Sequence, residues 1–455
     1  MRDEGIVPVF RWLPKSILNQ NDFYDHHFLY HIALIPFTFG DLRIGAKLSA
    51  IIFPALSFTI FYFLFRRQKI PYPWLWALGL LVVSEAFLFR MSITRAQSAS
   101  LGFLGLGVLW LLEEKHWGLS ILAFLYVWTY NAFPLFLVAG FFYVLACLIL
   151  DRRFQWKSLV FIVIGIFAGL IINPYFPRNI IFTIRHIVPK LGRGAVSGLG
   201  NEWFPYYTSQ LLENSLPSLI IFISGVFAMG MSSKKMDTRT LLALFLTILF
   251  AAMLFRSRRF IEYFPPFALI FAAFAWAPLI ENIQLEHSQD SKRNRVNVRF
   301  WVTVTLSIAL AGIFVYSTLN GTRQLMRTSK PYNLYQNAAL WLKENTQEGA
   351  LIFQSDWDDF PRLFFYNTHN TYLAGLDPTF FQQYDPDLFD LWVNLTRGRI
   401  DFPSDEILEN FDAAYIFTDL NHEQFIQKAF EDPEIIEVFR DDQAVIFKIV
   451  ENNNQ

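Results

Sequence analysis

The sequence contains one cysteine, little charge and none of the short signatures of nucleotide or hydrolytic chemistry. A single cysteine excludes an internal disulfide, and Cys147, set in FFYVLACLIL, reads as a packing residue of an apolar run. Charged residues make up 17% of the 455 positions, against about 25% in an ordinary soluble chain. There is no GxxxxGK[ST] loop and no Rossmann glycine fingerprint. A GxSxG elbow and an HExxH pair are also missing. No internal repeat or low-complexity tract appears. The formal net charge of −1 says little about partners, because the charges are sorted by region; no nucleic-acid partner is expected.

What is abundant is apolar surface: 54% of residues are hydrophobic and 50 are Phe. Such a chain buries apolar surface in lipid as well as in a core. Runs with few charges occur near 45–65, 74–90, 97–112, 117–131, 134–150, 157–174, 216–231, 239–255, 260–281 and 300–319, which predicts about ten membrane-spanning helices. The connections between them alternate. One set is basic: Arg66, Arg67 and Lys69; Arg152, Arg153 and Lys157; Lys234, Lys235 and Arg239; Lys292, Arg293 and Arg295; EEKH at 113–116 is its weakest member. The positive-inside rule puts this set in the cytoplasm. The other set, NAFP at 131–134, a long segment at 175–215 and RSRR at 256–259, then lies on the outer face.

This alternation places both the tail after about 320 and the first 40 residues outside. MRDEGIVPVFRWLPKS has no signal-peptide apolar core to carry it across. Two readings follow: FLYHIALIPFTF (28–39) is a short extra span, or a first helix lies upstream of Met1. Beyond 330, NLYQNAALWLKEN reads as an amphipathic helix, and ALIFQ, AAYIFT and AVIFKIV read as short buried strands. Helical patterns at 379–397, 404–411 and 422–430 alternate with them, which predicts a small α/β domain. The expected fold is therefore a polytopic α-helical membrane protein with a small soluble C-terminal α/β domain. Its divisions are an outer-face amphipathic segment at 1–44, a transmembrane domain at 45–320 and an extracytoplasmic domain at 321–455.

Polar residues near an apolar span are costly, so they are candidates for function. NDFYDHHFLYH (21–31) carries Asp22, Asp25, His26, His27 and His31. On a helix starting near Asp25, with Asp22 or Asp25 as cap, His27 and His31 share a face. Such a carboxylate–imidazole group suits a metal, a diphosphate or general-base work. Capping by Asp and snorkelling of polar tips is the plainer reading. A second cluster is arginine: Arg90 and Arg95, Arg185 and Arg193, then Arg256, Arg258 and Arg259, with Glu262 a turn later. Guanidinium suits bidentate phosphate binding. Pairing with Glu85, Glu202 and Glu262 is the other possibility. NEWFPYY (201–207) reads as an interfacial aromatic belt, within which Glu202 is a candidate acid or base. In the tail, SDWDDFP offers Trp357, Asp358 and Asp359 as acceptor contacts, or Ser355 or Asp356 as a helix cap.

Many spans, an Asp/His segment before the first of them, outer-face arginines and an external α/β domain resemble the GT-C glycosyltransferases, which include oligosaccharyltransferase catalytic subunits and protein mannosyltransferases. Locally the resemblance rests on YDHHFLYH, RSRRFIEYFPP, WDDFP and GLDP. WDDF is loosely similar to the Trp-Trp-Asp acceptor motif of oligosaccharyltransferases, with one Trp and the following Gly absent. The acidic residue that these enzymes carry at the outer end of their first helix has no counterpart in the sequence.

The resemblance implies a sugar donor on a polyprenyl phosphate or diphosphate, and a multi-pass enzyme of the cell (plasma) membrane among membrane lipids. It also implies that Asp25, with Asp22, binds a divalent metal such as Mg or Mn or activates the acceptor. Arg95, Arg256, Arg258 and Arg259 would hold the lipid phosphate. A non-catalytic lipid-phosphate-binding relative and a transporter are the competing readings. A transporter would place its ionisable groups at mid-span.

Overall fold

The computed structural model describes residues 1–2, 5–19, 21–192, 201–290 and 298–450. Arg193, Lys292, Arg293 and Arg295 lie outside the described residues. The chain forms two compact units. The membrane unit comprises Met1–Ile6, Asp25–Gly192 and Glu202–Ser329; the second unit comprises Val7–Tyr24 and Lys330–Gln455 together with residues 193–201.

The membrane unit is helical. Among the described residues, five helices are long and apolar enough to cross a membrane: Leu42–Arg67, Pro134–Asp151, Thr208–Met231, Thr238–Arg256 and Phe264–Ile283. Gln97–Leu112 and Trp156–Ile171 are apolar but shorter. The run at 300–319 falls within Val298–Arg327. The helix that starts at Phe264 is the hub, with 72% of its apolar window buried by its neighbours. A helix apolar all round belongs inside a bundle. By contrast, Ile44, Ile51, Leu56, Phe227 and Met231 are exposed, as side chains facing hydrocarbon would be.

The expected span at 74–90 is two short helices, Pro73–Gly79 and Glu85–Met91. Ser84 explains the break. Its Oγ accepts the Phe87 N–H at 3.1 Å, capping the second helix, and donates to the Asn214 carbonyl. The Thr318 hydroxyl donates to Val82 O at 3.1 Å. Side chains of the bundle thus take up backbone groups freed by the interruption, as irregular backbone at membrane depth requires.

Close helix packing rests on small residues. At Gly165 an added Cβ would overlap the Ser120 carbonyl and the Ala123 methyl. Nearby, Trp128 Nε1–H donates to Gly169 O at 2.9 Å, joining the same two helices, His116–Thr129 and Trp156–Ile171.

The second unit is built on strands β1 (Leu351–Gln354), β2 (Thr371–Tyr372), β3 (Tyr415–Asp419), β4 (Ile435–Arg440) and β5 (Ala444–Ile449), in the order β2-β1-β3-β5-β4. β1 is parallel to β2 and β3; β5 is antiparallel to β3 and β4. The helical pattern at 379–397 is two helices, Pro378–Tyr384 and Pro386–Thr396. Pro386 cannot continue the first helix, and the Asp385 carboxylate caps the second by accepting the Leu388 N–H at 3.0 Å.

Residues 7–24 are part of this unit. Trp12 O accepts the Tyr372 N–H at 2.9 Å, and Ile17 N–H donates to Phe380 O at 3.1 Å. Leu13 is fully buried against Tyr335, Phe360 and Tyr372. The membrane and C-terminal parts of the chain therefore each take a piece of the first 44 residues.

Gly165→Val should destabilise the membrane unit by about 1–3 kcal/mol, the usual range for overpacking. Thermal unfolding in detergent checks this; an unchanged midpoint would show that the helix pair can separate without loss.

Candidate functional site

In the membrane unit, the short turn Arg258–Glu262 follows the helix Thr238–Arg256 and is tied to the loop before Thr208. Ser257 Oγ donates to Glu202 O at 2.9 Å, Arg258 N–H to Phe204 O at 3.0 Å, and Arg258 Nε to Pro205 O at 3.1 Å. These bonds fix Glu202 beneath three guanidinium groups. Its Oε1 accepts from Arg259 Nη1 at 2.9 Å, its Oε2 accepts from Arg90 Nη2 at 3.1 Å, and Arg95 Nη1 lies 3.9 Å from Oε2. Arg90, in the last turn of Glu85–Met91, also pairs with Glu262, which is wholly buried. Arg259 Nη2 donates to the Tyr130 hydroxyl at 2.8 Å, and the Arg259 guanidinium lies over the Trp203 ring at 4.9 Å. Burial alone would push the Glu202 carboxyl up, but Arg259, Arg90 and Arg95 together hold it below the usual range.

Tyr130 links this group to the aspartate–histidine segment. The His27 ring stacks on Tyr130, with centroids 5.2 Å apart. Asp25 is buried: its Oδ1 accepts the His27 N–H at 3.0 Å and its Oδ2 meets His31 Nδ1 at 2.7 Å. The helix starts at Phe28 with His27 as its N-cap, so Asp25 orders the turn before it. His26 stacks on Phe182. Desolvation, then the charges of His26, His31, Arg259 and Arg95, hold the His27 imidazole well below its ordinary range. These effects favour the neutral imidazole and weaken it as a base.

The structure thus gathers Asp25, His27, Glu202, Arg95 and Arg259 in one unit, with His26 beside them. Arg258 is engaged elsewhere, on Pro205 and over the Tyr206 ring at 5.4 Å. Arg256 is exposed at the helix end. Tyr130 and Ser257 carry no charge; their only signal in the sequence is position, Tyr130 just before NAFP and Ser257 within RSRR.

Asp22 falls in the other unit, where it is exposed and accepts from Asn19 Nδ2 at 3.3 Å. Among the described residues no three His, Cys, Asp or Glu side chains gather as metal ligands, and both Asp25 oxygens are engaged. The residues of this site therefore do not fit a divalent ion.

In the second unit, Trp357, Asp358 and Asp359 form a short turn after β1. The Asp356 carboxylate caps it, accepting the Asp358 N–H at 3.0 Å. Asp358 is half-exposed, near Arg362 and Lys330. Asp359 is 1% exposed and its Oδ2 has no hydrogen-bond partner. Burial, then the charges of Asp356 and Asp419, push its carboxyl up to about 7. Asp419, at the end of β3, holds His422 Nδ1 at 2.5 Å. Burial would lower the His422 imidazole, but the hydrogen bond to Asp419 and the charge of that carboxylate raise it above its ordinary range.

The arrangement of broken and continuous apolar helices, with an α/β unit in the same chain, has the fold of several solved glycosyltransferases. Solved structures with this fold include the archaeal oligosaccharyltransferase AglB from Archaeoglobus fulgidus, in complex with an inhibitory peptide and a dolichol-phosphate. It is 15% identical with a TM-score of 0.64, covering 92% of this chain and 65% of that one. The Archaeoglobus fulgidus oligosaccharyltransferase complexed with Zn and sulfate is 13% identical with a TM-score of 0.62, covering 97% and 67%. ArnT from Cupriavidus metallidurans bound to undecaprenyl phosphate is 16% identical with a TM-score of 0.57, covering 94% and 87%. The chain thus spans just under two thirds of the first of these enzymes. No family model matches the chain, and no curated protein matches it in sequence.

Asp359 gives a pH dependence with a definite sign. Its folded carboxyl titrates near 7 and its unfolded one near 3.8, so the folded state holds the extra proton between them. Stability should be greatest below that window and fall as pH rises through it, by up to about 4 kcal/mol. Asp359→Asn should remove the loss and melt higher than wild type at pH 8. A melting difference that stays constant from pH 4 to 8 would refute this.

Proposed function

We propose that the chain is a glycosyltransferase that moves a sugar from a polyprenyl phosphate or diphosphate to an acceptor on the outer face of the cell membrane. The observation that carries this is the convergence of Arg90, Arg95 and Arg259 beside a neutral His27 ordered by Asp25. The fold shared with enzymes solved with dolichol-phosphate and with undecaprenyl phosphate supports the class of donor.

Such a transfer needs positive charge where the phosphate leaves and a base where the acceptor attacks. The guanidinium groups supply the first in fixed positions, at least two of them set by buried or half-buried partners. His27 is the better-placed base. Asp25 acts through it as a positioning residue, since its two oxygens already hold the His27 amide and the His31 ring. His26, stacked on Phe182, shapes the wall beside His27. Trp357 and Asp358 of the second unit are the proposed acceptor contacts, by their likeness to the oligosaccharyltransferase motif. Asp359 is too deeply buried to join them as a contact and instead underlies their turn.

A non-catalytic relative that binds lipid phosphate is the second reading, favoured by the full engagement of Asp25 and the absence of a ligand group for a metal among the described residues. Transfer from a polyprenyl-linked sugar by the purified chain decides between them. Arg259→Ala should lower the rate by about 10²–10³-fold, as loss of a charge-stabilising donor does. His27→Ala should lower it by about 10²–10⁴-fold and remove the limb of the pH–rate profile due to the base. Asp25→Asn should reduce the rate less and shift that limb, because it disturbs His27 without removing it. Equal rates in all three would take these residues out of the mechanism. Binding of the lipid phosphate without turnover would establish the second reading.

A further inference from the structure

A carboxylate gripped by three guanidinium groups marks a place where an anion is stabilised, whichever anion occupies it. Glu202 is that anion in this structure. Its two oxygens take Arg259 and Arg90 at 2.9 and 3.1 Å, with Arg95 at 3.9 Å. Two features separate it from Glu262, the other carboxylate of the group. Glu262 is wholly buried and sits within the turn Arg258–Glu262, whereas the Glu202 side chain is 29% exposed and sits on a loop turn, Asn201–Trp203. Glu262 is a fixed counter-ion, while Glu202 can be exchanged for a ligand from solvent or lipid.

The charges support the exchange. Arg90, Arg95 and Arg259 bring three positive charges, and Glu262 and Glu202 remove two, leaving one. With Glu202 withdrawn, the single negative charge of a sugar phosphodiester leaves the same net charge as Glu202 does, and the dianion of the carrier phosphate freed by transfer makes the group neutral. The planar fork of each guanidinium fits phosphate oxygens as well as it fits a carboxylate. Arg95, with its side chain 54% exposed and 3.9 Å from Glu202, is the arginine least satisfied by the carboxylate. A larger, more highly charged group would draw it in.

We infer that Glu202 is a built-in stand-in for the donor phosphate, occupying the arginine site when it is empty of lipid and competing with the lipid phosphate for Arg90, Arg95 and Arg259. This rests on the proposed lipid-phosphate site. The competition keeps Arg90 and Arg259 compensated in a poorly solvated place between turnovers, where unpaired charge is costly. It also helps the product to leave, because Glu202 returns to the guanidinium groups as the phosphate departs.

The test is binding of undecaprenyl phosphate, and of inorganic phosphate in a parallel arm, to the full chain in nanodiscs. Glu202→Gln keeps the shape of the side chain and removes the competing charge. It should bind the lipid phosphate roughly tenfold more tightly than wild type. In wild type, binding should also change tryptophan fluorescence, since Trp203 lies under Arg259 on the same turn as Glu202. That change should vanish in Trp203→Phe. Tighter binding of the lipid alone assigns the site to a lipid headgroup; tighter binding of both phosphates assigns it to phosphate as such, and either result upholds the competition. Equal or weaker binding by Glu202→Gln, with wild type binding, overturns the competition and leaves the lipid-phosphate site standing. No binding of either probe by any variant removes that site, and the inference with it.

Discussion

The buried carboxylate of Glu262 is the constraint around which the membrane unit is arranged. A charge in a medium of low dielectric must have a close counter-charge, or it is forced neutral. Arg90 provides it, and in doing so draws together the short helix Glu85–Met91, the turn Arg258–Glu262 and, through Glu202, the loop before Thr208. The break at Ser84 is what lets the short helix deliver Arg90 to this point. One arginine, through two ion pairs, thereby joins three segments of the chain. The charged cluster is an anchor of the fold as well as a candidate site.

Much of the architecture was legible in the sequence because hydrocarbon imposes a simple rule: a spanning segment satisfies its own backbone and shows apolar side chains outward. The runs at 45–65, 216–231, 239–255 and 260–281 match long apolar helices for that reason. The run at 74–90 misled because apolarity reports what a segment can bury and is blind to a serine that caps a new helix. In the second unit the strands at β1, β3 and β5 carried clear β-branched and aromatic runs. IIEVFR, which forms β4 at the edge of the sheet, is as rich in β-branched and aromatic residues, but Glu437 interrupts it and most of its positions are exposed or half-buried, so it does not read as a buried strand.

The site was readable in its chemistry and hidden in its pairing. Arginines in the loops that the charge rule assigns to the outer face stood out, and adjacent histidines stood out against the apolar runs. Which arginine meets which carboxylate was not in the pattern, since Arg90 and Glu262 are 172 positions apart. Arg258 and Arg259 are neighbours with the same side chain, yet one stacks on Tyr206 and the other enters the cluster. Backbone direction in a five-residue turn decides that, and no composition rule reaches it.

The burial of Leu13 beneath Tyr335 and Tyr372 has a consequence for how the molecule comes together. The second unit is discontinuous, made of residues 7–24 and a stretch more than three hundred positions later. Contacts of such long range are slow to form, because a very large loop has to close before any of them is rewarded. During synthesis the early segment must therefore wait, unpacked, while the whole helical bundle is inserted. The sheet reaches its full core only when that first stretch and the last strands find each other. A fragment starting at Lys330 would carry all five strands and still leave the hollow filled by Leu13 open.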